Sequence, residues 1–251
     1  MLGLHRLRPD AKLPIMRSRS YPSDSTDLEG LRRWLAGRPE RLVPLTIRRI
    51  TISPNALDEL ADCAAAVKSD RSACYVIMDR TPMVRNGVRI KPEVVSMLRG
   101  RLGDVFLIEL GQPDHPPHAD MDLAKELSKL LTPGSLVVTF GSGTITDLTK
   151  HALYWIEQEG GTRFEHICCP TACTVTAYTA SMTVLTVDGV KRTLRSRAPD
   201  QILVDLQMIR DAPIELTRAG LGGSAGTLHG VRGLVPRRRV RRRRDVQHGA
   251  I

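Results

Sequence analysis

Strand-like apolar runs recur along the middle of this chain at a nearly constant interval. They begin at Ala73, Asp104, Ser135 and Phe164, which lie 31, 31 and 29 residues apart. A helix-patterned segment precedes the first run (Leu57, Leu60, Ala61, Ala64 and Val67), and others lie between the runs: Val94, Val95, Leu98 and Leu102, then Leu123, Leu127, Leu130 and Leu131. Strand and helix alternating at this interval predict an α/β fold with a parallel sheet. The runs are apolar without alternation, so burial on both faces is expected of them. An earlier strand is read in Leu45–Ile52 (LTIRRITI), with Ser53-Pro54 capping and opening the helix that follows. Beyond Thr171 the interval changes. Residues 181–196 read as a hairpin turning at Asp188-Gly189, QILVDL as a further strand, and Asp211-Ala212-Pro213 as the opening of a helix through Leu216 and Ala219.

Ligands of parallel sheets sit at the carboxyl ends of the strands. Four features fall there: Asp79 after YVIM, the His115-Pro-Pro-His118 loop after FLIEL, Gly141-Ser142-Gly143 after LVVTF, and Pro170-Thr171 after HICC. The glycine turn is the most informative. An apolar run stops at Gly141 and a helix-compatible segment follows, the arrangement in which backbone N–H groups and a helix dipole meet a phosphate. An ordinary tight turn explains the spacing equally well, because Thr146 stands where the dinucleotide fingerprint has its third glycine. Asp147 and Lys150 are either a pair facing a cofactor or a first-turn acid with an i, i+3 ion pair. The prolines between His115 and His118 forbid a helix that would place both rings on one side, so that loop is read as solvated. His151 is read as packed or superficial. Cys168 and Cys169 point to opposite strand faces, and no metal ligand is assigned anywhere.

Composition narrows the field. The 251 residues carry a net charge of +10, but residues 224–251 hold eight Arg and one Asp, so +7 lies there and +3 in the other 223 residues. Nucleic-acid binding is therefore expected only non-specifically, through that tail. The five cysteines form no C-x-x-C pair and suit small buried hydrophobes in a cytoplasmic protein. No apolar run approaches the roughly 18 residues that span a bilayer, so no membrane partner is expected.

Four motifs taken in order resemble the iron-containing alcohol dehydrogenase and dehydroquinate synthase superfamily, nearest its sn-glycerol-1-phosphate dehydrogenase branch. GSGTITDLTK (141–150) is similar to the family's G-G-G-T-x-x-D-x-x-K loop, with Ser142 as its middle residue. PTACTVTAYTAS (170–181) resembles P-T-x-x-S-x-D-G-Y-x-S, with Thr174 for the serine and Thr176 for the aspartate. DGVKRT with APDQILVDL, and DAPIELTRAGLG (211–222), complete the set. The resemblance implies an NAD(P)-binding α/β domain, followed by an all-helical domain whose histidines hold zinc or iron. The substrate it implies is a polyol phosphate, a glycerol phosphate in the nearest branch.

By the same resemblance, the amides of Gly141, Ser142, Gly143 and Thr144 hold the pyrophosphate, and Asp79 accepts from the adenosine ribose. Asp147, Thr171 and Thr174 belong to the cofactor side, Thr176 and Lys150 to the substrate side. Two positions depart from the pattern. Thr176 replaces a charged substrate contact, and Gly223 replaces a metal-ligand aspartate. Residues 1–40 are read as a loose basic leader, 41–210 as the NAD(P)-binding domain, 211–222 as the first helix of a lost helical domain, and 223–251 as a disordered Arg-rich tail. Eight Arg without a Lys suit GC-rich DNA read out of frame, and with Gly223 for the aspartate and no helical-domain histidines, truncation and inactivity of this chain are expected. A dehydroquinate-synthase-like cyclase, a non-catalytic nucleotide-binding remnant and a polyanion-binding protein stand as alternatives. A homo-oligomer is compatible with all of them.

Overall fold

The computed structural model describes residues 22–24, 26–37, 44–69 and 72–222. The first 21 residues of the leader and the whole Arg-rich tail lie outside the described residues. The chain forms two compact units, residues 1–46 and 47–251. In the first, helix α1 (Leu28–Ala36) is N-capped by Asp27, whose side chain accepts from the Gly30 N–H, and ends at Gly37.

The second unit is built on six parallel strands: β1 (Arg49–Ser53), β2 (Cys74–Asp79), β5 (Phe106–Leu110), β6 (Leu136–Gly141), β7 (Glu165–Pro170) and β10 (Gln201–Asp205). Their spatial order is β1-β10-β7-β6-β2-β5. Alternate strand residues feed two cores. Cys74, Val76, Met78, Leu136, Val138 and Phe140 pack with α2 (Leu60–Val67) and α3 (Ile90–Leu102). Tyr75, Ile77 and Val137 pack with α4 (Met121–Lys129) and α5 (Gly143–Gln158). Cys169 joins the first core, while Cys168 on the opposite face meets the Thr146 hydroxyl.

Three sequence expectations need correction. The first strand starts at Arg49 rather than Leu45, because its ladder with β10 begins at the Arg49–Gln201 pair. Pro54 and Asn55 form a turn, a 3-10 segment follows at Ala56–Glu59, and α2 begins only at Leu60. The Leu57 N–H is met not by Ser53 but by Asp205 Oδ2 at 3.1 Å. Strand β5, finally, is not buried on both faces. It is the outer strand, paired with β2 alone, and leaves Phe106 53% and Leu107 38% exposed.

Two small elements went unread: the hairpin β3 (Val84–Arg85) and β4 (Val88–Arg89), and helix α6 (Leu206–Asp211). The hairpin turns on Asn86 and Gly87, both at positive φ, the pair that favours such turns most strongly. The expected hairpin is present as β8 (Met182–Val187) and β9 (Val190–Arg195), turning on Asp188 and Gly189, also at positive φ.

Asp205 is 1% exposed and ties three segments together. It caps α6 through the Met208 N–H at 2.9 Å, holds the Leu57 N–H, and pairs with Arg85 of the β3–β4 hairpin at 2.9 Å. Asp205→Ala leaves two amides unmatched and takes from the half-buried Arg85 guanidinium its buried carboxylate partner, leaving it Asp58 and Asn55. It is expected to destabilise the fold by about 3 kcal/mol, measured by urea unfolding. A pH effect has its own source in the core. His166 is fully buried on β7, bonded to the Thr139 hydroxyl at 2.8 Å. Burial, aided by the charges of Arg197 and Lys150, holds its pKa well below the ordinary histidine value. The unfolded chain takes up a proton near pH 6.5 that the folded chain refuses, so stability is full above that pH and falls below it. The expected loss is up to about 1.4 kcal/mol per pH unit for this group, and a smaller slope in His166→Gln checks it.

Candidate nucleotide site

Strand β2 leads through α3, on one face of the sheet, to β5; β6 leads through α5, on the other face, to β7. The chain therefore leaves β2 and β6 in opposite directions. Such a reversal opens a crevice beyond the carboxyl ends of the two strands, the ligand position of open α/β sheets. The Gly141-Ser142-Gly143 turn stands there. Gly141 ends β6, Ser142 is the extended N-cap residue, and Gly143 begins the 16-residue α5. The Ser142 side chain makes no capping bond and the first turn holds no acid. Its positive end is thus left for a ligand.

A cleft of about 340 Å3 opens over this turn, lined by Ser142, Gly143, Thr144, Asp147 and Thr174 from the expected set, by His118 of the loop expected to be solvated, and by Lys191 of the DGVKRT motif, which had no assigned role. A second cavity of about 580 Å3 adjoins it, sharing Asp147, Thr174, Val175 and Val184 and adding Cys173, Thr176, Met182 and Thr193. Gly141 and Thr171 stand behind these walls, joined by the Thr171 N–H to the Gly141 carbonyl at 3.2 Å. Gly143 has a packing reason to be glycine. A Cβ there would lie 2.3 Å from Val175 Cγ2, so residues 171–180 rest directly on the turn. Gly220, in the helix over residues 214–222, has a similar one: a Cβ would lie 1.8 Å from the Cys173 carbonyl oxygen.

Lys150 lies beneath the cavities with its side chain fully buried. Its ammonium donates to the carbonyls of Ala177 (2.6 Å), Ala180 (3.1 Å) and Met182 (2.8 Å), and Asp147 Oδ1 is 3.2 Å away. All three N–H donors are thus engaged in the chain's own backbone. Burial lowers its pKa against the opposing pull of Asp147. Asp147 Oδ2 in turn accepts from the Val184 N–H, and its backbone carbonyl accepts from the Thr183 hydroxyl. Tyr178 closes the loop by donating to the Ala172 carbonyl at 2.9 Å, and burial raises its phenol pKa.

Asp79 ends β2, beside β6, but lines neither of these cavities. Its carboxylate is paired with Lys91, which also donates to the carbonyls of Asp79 and Thr81. His115 is exposed and pairs with Asp114 at 3.1 Å. His151 is buried with neither ring nitrogen hydrogen-bonded, and burial lowers its pKa. Among the described residues, no group of three His, Cys, Asp or Glu side chains could hold a metal ion.

A sequence profile described as iron-containing alcohol dehydrogenase matches residues 51–213, nearly two-thirds of the chain. The chain belongs to that family. Among curated relatives, the glycerol-1-phosphate dehydrogenase of Bacillus velezensis is 26% identical over 193 residues, covering 74% of this chain and 44% of the relative. That of Bacillus licheniformis is 29% identical over 185 residues, covering 73% and 43%. Both carry NAD(P)+ in their names. The chain spans less than half the length of these relatives. Among solved structures, glycerol dehydrogenase from Schizosaccharomyces pombe shares the fold with a TM-score of 0.56 at 17% identity, over 75% of this chain and 45% of that one. The fold is thus the parallel-sheet α/β fold expected from the motifs.

The arrangement makes Lys150 a brace for the loop that forms both cavities. Lys150→Met is expected to cost about 2 to 3 kcal/mol, because three buried carbonyls and Asp147 lose their partner. Faster amide hydrogen exchange confined to residues 177–184 would show it.

Proposed function

We propose that the chain is the nucleotide-binding part of an NAD(P)-dependent dehydrogenase acting on a glycerol phosphate. The observation that carries this reading is the uncapped N-terminus of α5 at the point where the sheet reverses its winding, with Asp147 and Thr174 on the walls. The amides of Ser142, Gly143 and Thr144 are suited to a pyrophosphate, and Gly141 gives the backbone room to turn beneath it. Thr174 and Thr171 belong to the nicotinamide side of the loop, and Thr176 in the adjoining cavity offers a neutral hydroxyl to a polyol. Asp79, held by Lys91, is assigned to the adenosine ribose. Lys150 serves substrate and cofactor by fixing residues 177–182 rather than by direct contact, since its donors are committed.

Bound nicotinamide would supply the acceptor for a hydride from the carbon of a secondary alcohol, whose hydroxyl proton is lost in the same oxidation. The chain's part in this is to hold and orient the dinucleotide. The family's metal does not fit the described residues, and no step is derived through it.

The names of the curated relatives support glycerol phosphate as the substrate class. We read the compartment as cytoplasmic, in keeping with four buried free thiols. Among the described residues, no helix is long and apolar enough to cross a membrane.

Because Val175 occupies the space beside Gly143, a bulky residue at 143 would disturb the loop whether or not a ligand approaches. The informative comparison is Gly143→Ala against the double variant Gly143→Ala/Val175→Ala, with Val175→Ala as control. If the pyrophosphate lies on the turn, NADH binds about tenfold or more weakly to both Gly143 variants, followed by its fluorescence. Full recovery in the double variant would mean the glycine serves packing alone.

A further inference from the structure

The cleft over the glycine turn has a second wall, made by the His115-Pro-Pro-His118 loop and the DGVKRT hairpin. The β8–β9 hairpin is stitched to the loop after β5: the Thr186 N–H donates to the Ala119 carbonyl at 2.8 Å, and Thr186 bridges to Asp120. Across the hairpin, Thr186 is paired directly with Lys191, so the two side chains project from the same face. The stitch therefore brings Lys191 of β9 and His118 of the loop, 73 residues apart in sequence, to the rim of the cleft floored by Ser142, Gly143 and Thr144.

Both side chains are exposed, and among the described residues neither has a hydrogen-bond or ion-pair partner. The buried and half-buried basic groups of this unit, by contrast, are committed within the protein: Lys91 to Asp79, Lys150 to three carbonyls, Arg85 to Asp205, Arg197 to Glu157 and Asp200. Water solvates the exposed ammonium and imidazole, and both stand on the rim of a cleft whose floor is the positive end of a 16-residue helix. A phosphoryl oxyanion between rim and floor suits both. Asp147, the one carboxylate on the cleft wall, accepts from the Val184 amide and faces Lys150 below, so its charge is partly compensated from the protein side.

We propose that Lys191 and His118 form the upper jaw of an anion clamp, closing on a phosphoryl group that the α5 amides hold from below. This rests on the reading of the cleft as a nucleotide site and names two binding residues for it. The shared chemistry is a phosphate oxyanion; its source is either the cofactor's pyrophosphate or the phosphate monoester of the substrate.

The test uses the full chain and its Lys191→Met, Lys191→Arg and His118→Gln variants, titrated calorimetrically with inorganic pyrophosphate, ADP, sn-glycerol 1-phosphate and adenosine. Lys191→Met is expected to weaken the bound phosphorylated probe about tenfold, as loss of one charge-assisted hydrogen bond would. His118→Gln should weaken it less, Lys191→Arg should restore most of the affinity, and adenosine binding should stay as in the parent chain. Weakening of ADP and pyrophosphate identifies the cofactor's anion; weakening of glycerol 1-phosphate alone identifies the substrate's. Parent-like affinity for every phosphorylated probe in the Lys191→Met/His118→Gln double variant overturns the clamp and leaves the nucleotide reading standing. A parent chain that binds none of the phosphorylated probes overturns both.

Discussion

One buried ammonium holds the candidate site in shape. Lys150 sits on the second turn of α5, where a charged group with no access to water is tolerated only if every proton finds an acceptor. It finds three, all backbone carbonyls of residues 177–182, with Asp147 beside it. The segment that it gathers in has little regular structure of its own beyond the 3-10 turn at Thr176–Tyr178. The bond set fixes the backbone at Ala177, Ala180 and Met182, three residues of the second cavity's wall.

The sheet was legible in the sequence because its physics is local. A run of apolar residues followed by a helix stripe, repeated at about 31 residues, leaves few arrangements besides a parallel sheet sandwiched by helices. Which strand would stand at the rim was not legible. FLIEL is as apolar as its neighbours, yet β5 pairs on one side only, and nothing within those five residues says so. The start of α2 escaped for a similar reason. Ser53-Pro54 is a sound local cap signal, but Asp205, 148 residues from Leu57, supplies the acceptor, and the helix begins where that carboxylate can reach.

The site divides along the same line. Gly141, Ser142, Gly143, Thr144 and Asp147 are contiguous, and a strand, a turn and a helix suffice to place them together. Thr174 and Thr176 were found through their motif, though what packs them against the turn is the contact between Val175 and Gly143. The motif places Lys150 on the substrate side, and the structure buries it with its ammonium bonded to three backbone carbonyls, something spacing along a helix cannot reveal. The segments of His118 and Lys191 were each marked in the sequence, but their meeting was not, because it depends on the hydrogen bond and bridge that tie Thr186 to Ala119 and Asp120.

Gly220 gives the site an unexpected weak point. The backbone of its helix runs so close to the Cys173 carbonyl that no side chain fits between, and the two surfaces meet as bare main chain. A residue with no functional group thereby sets the clearance around Cys173, Thr174 and Thr176. Nearly every single-base change in its codon that alters the residue adds at least a methyl group, and the displaced neighbour would be the cavity wall itself. Tolerance to drift at this position is set by steric clearance alone, so the shape of the second cavity can be lost through a codon that encodes none of its chemistry.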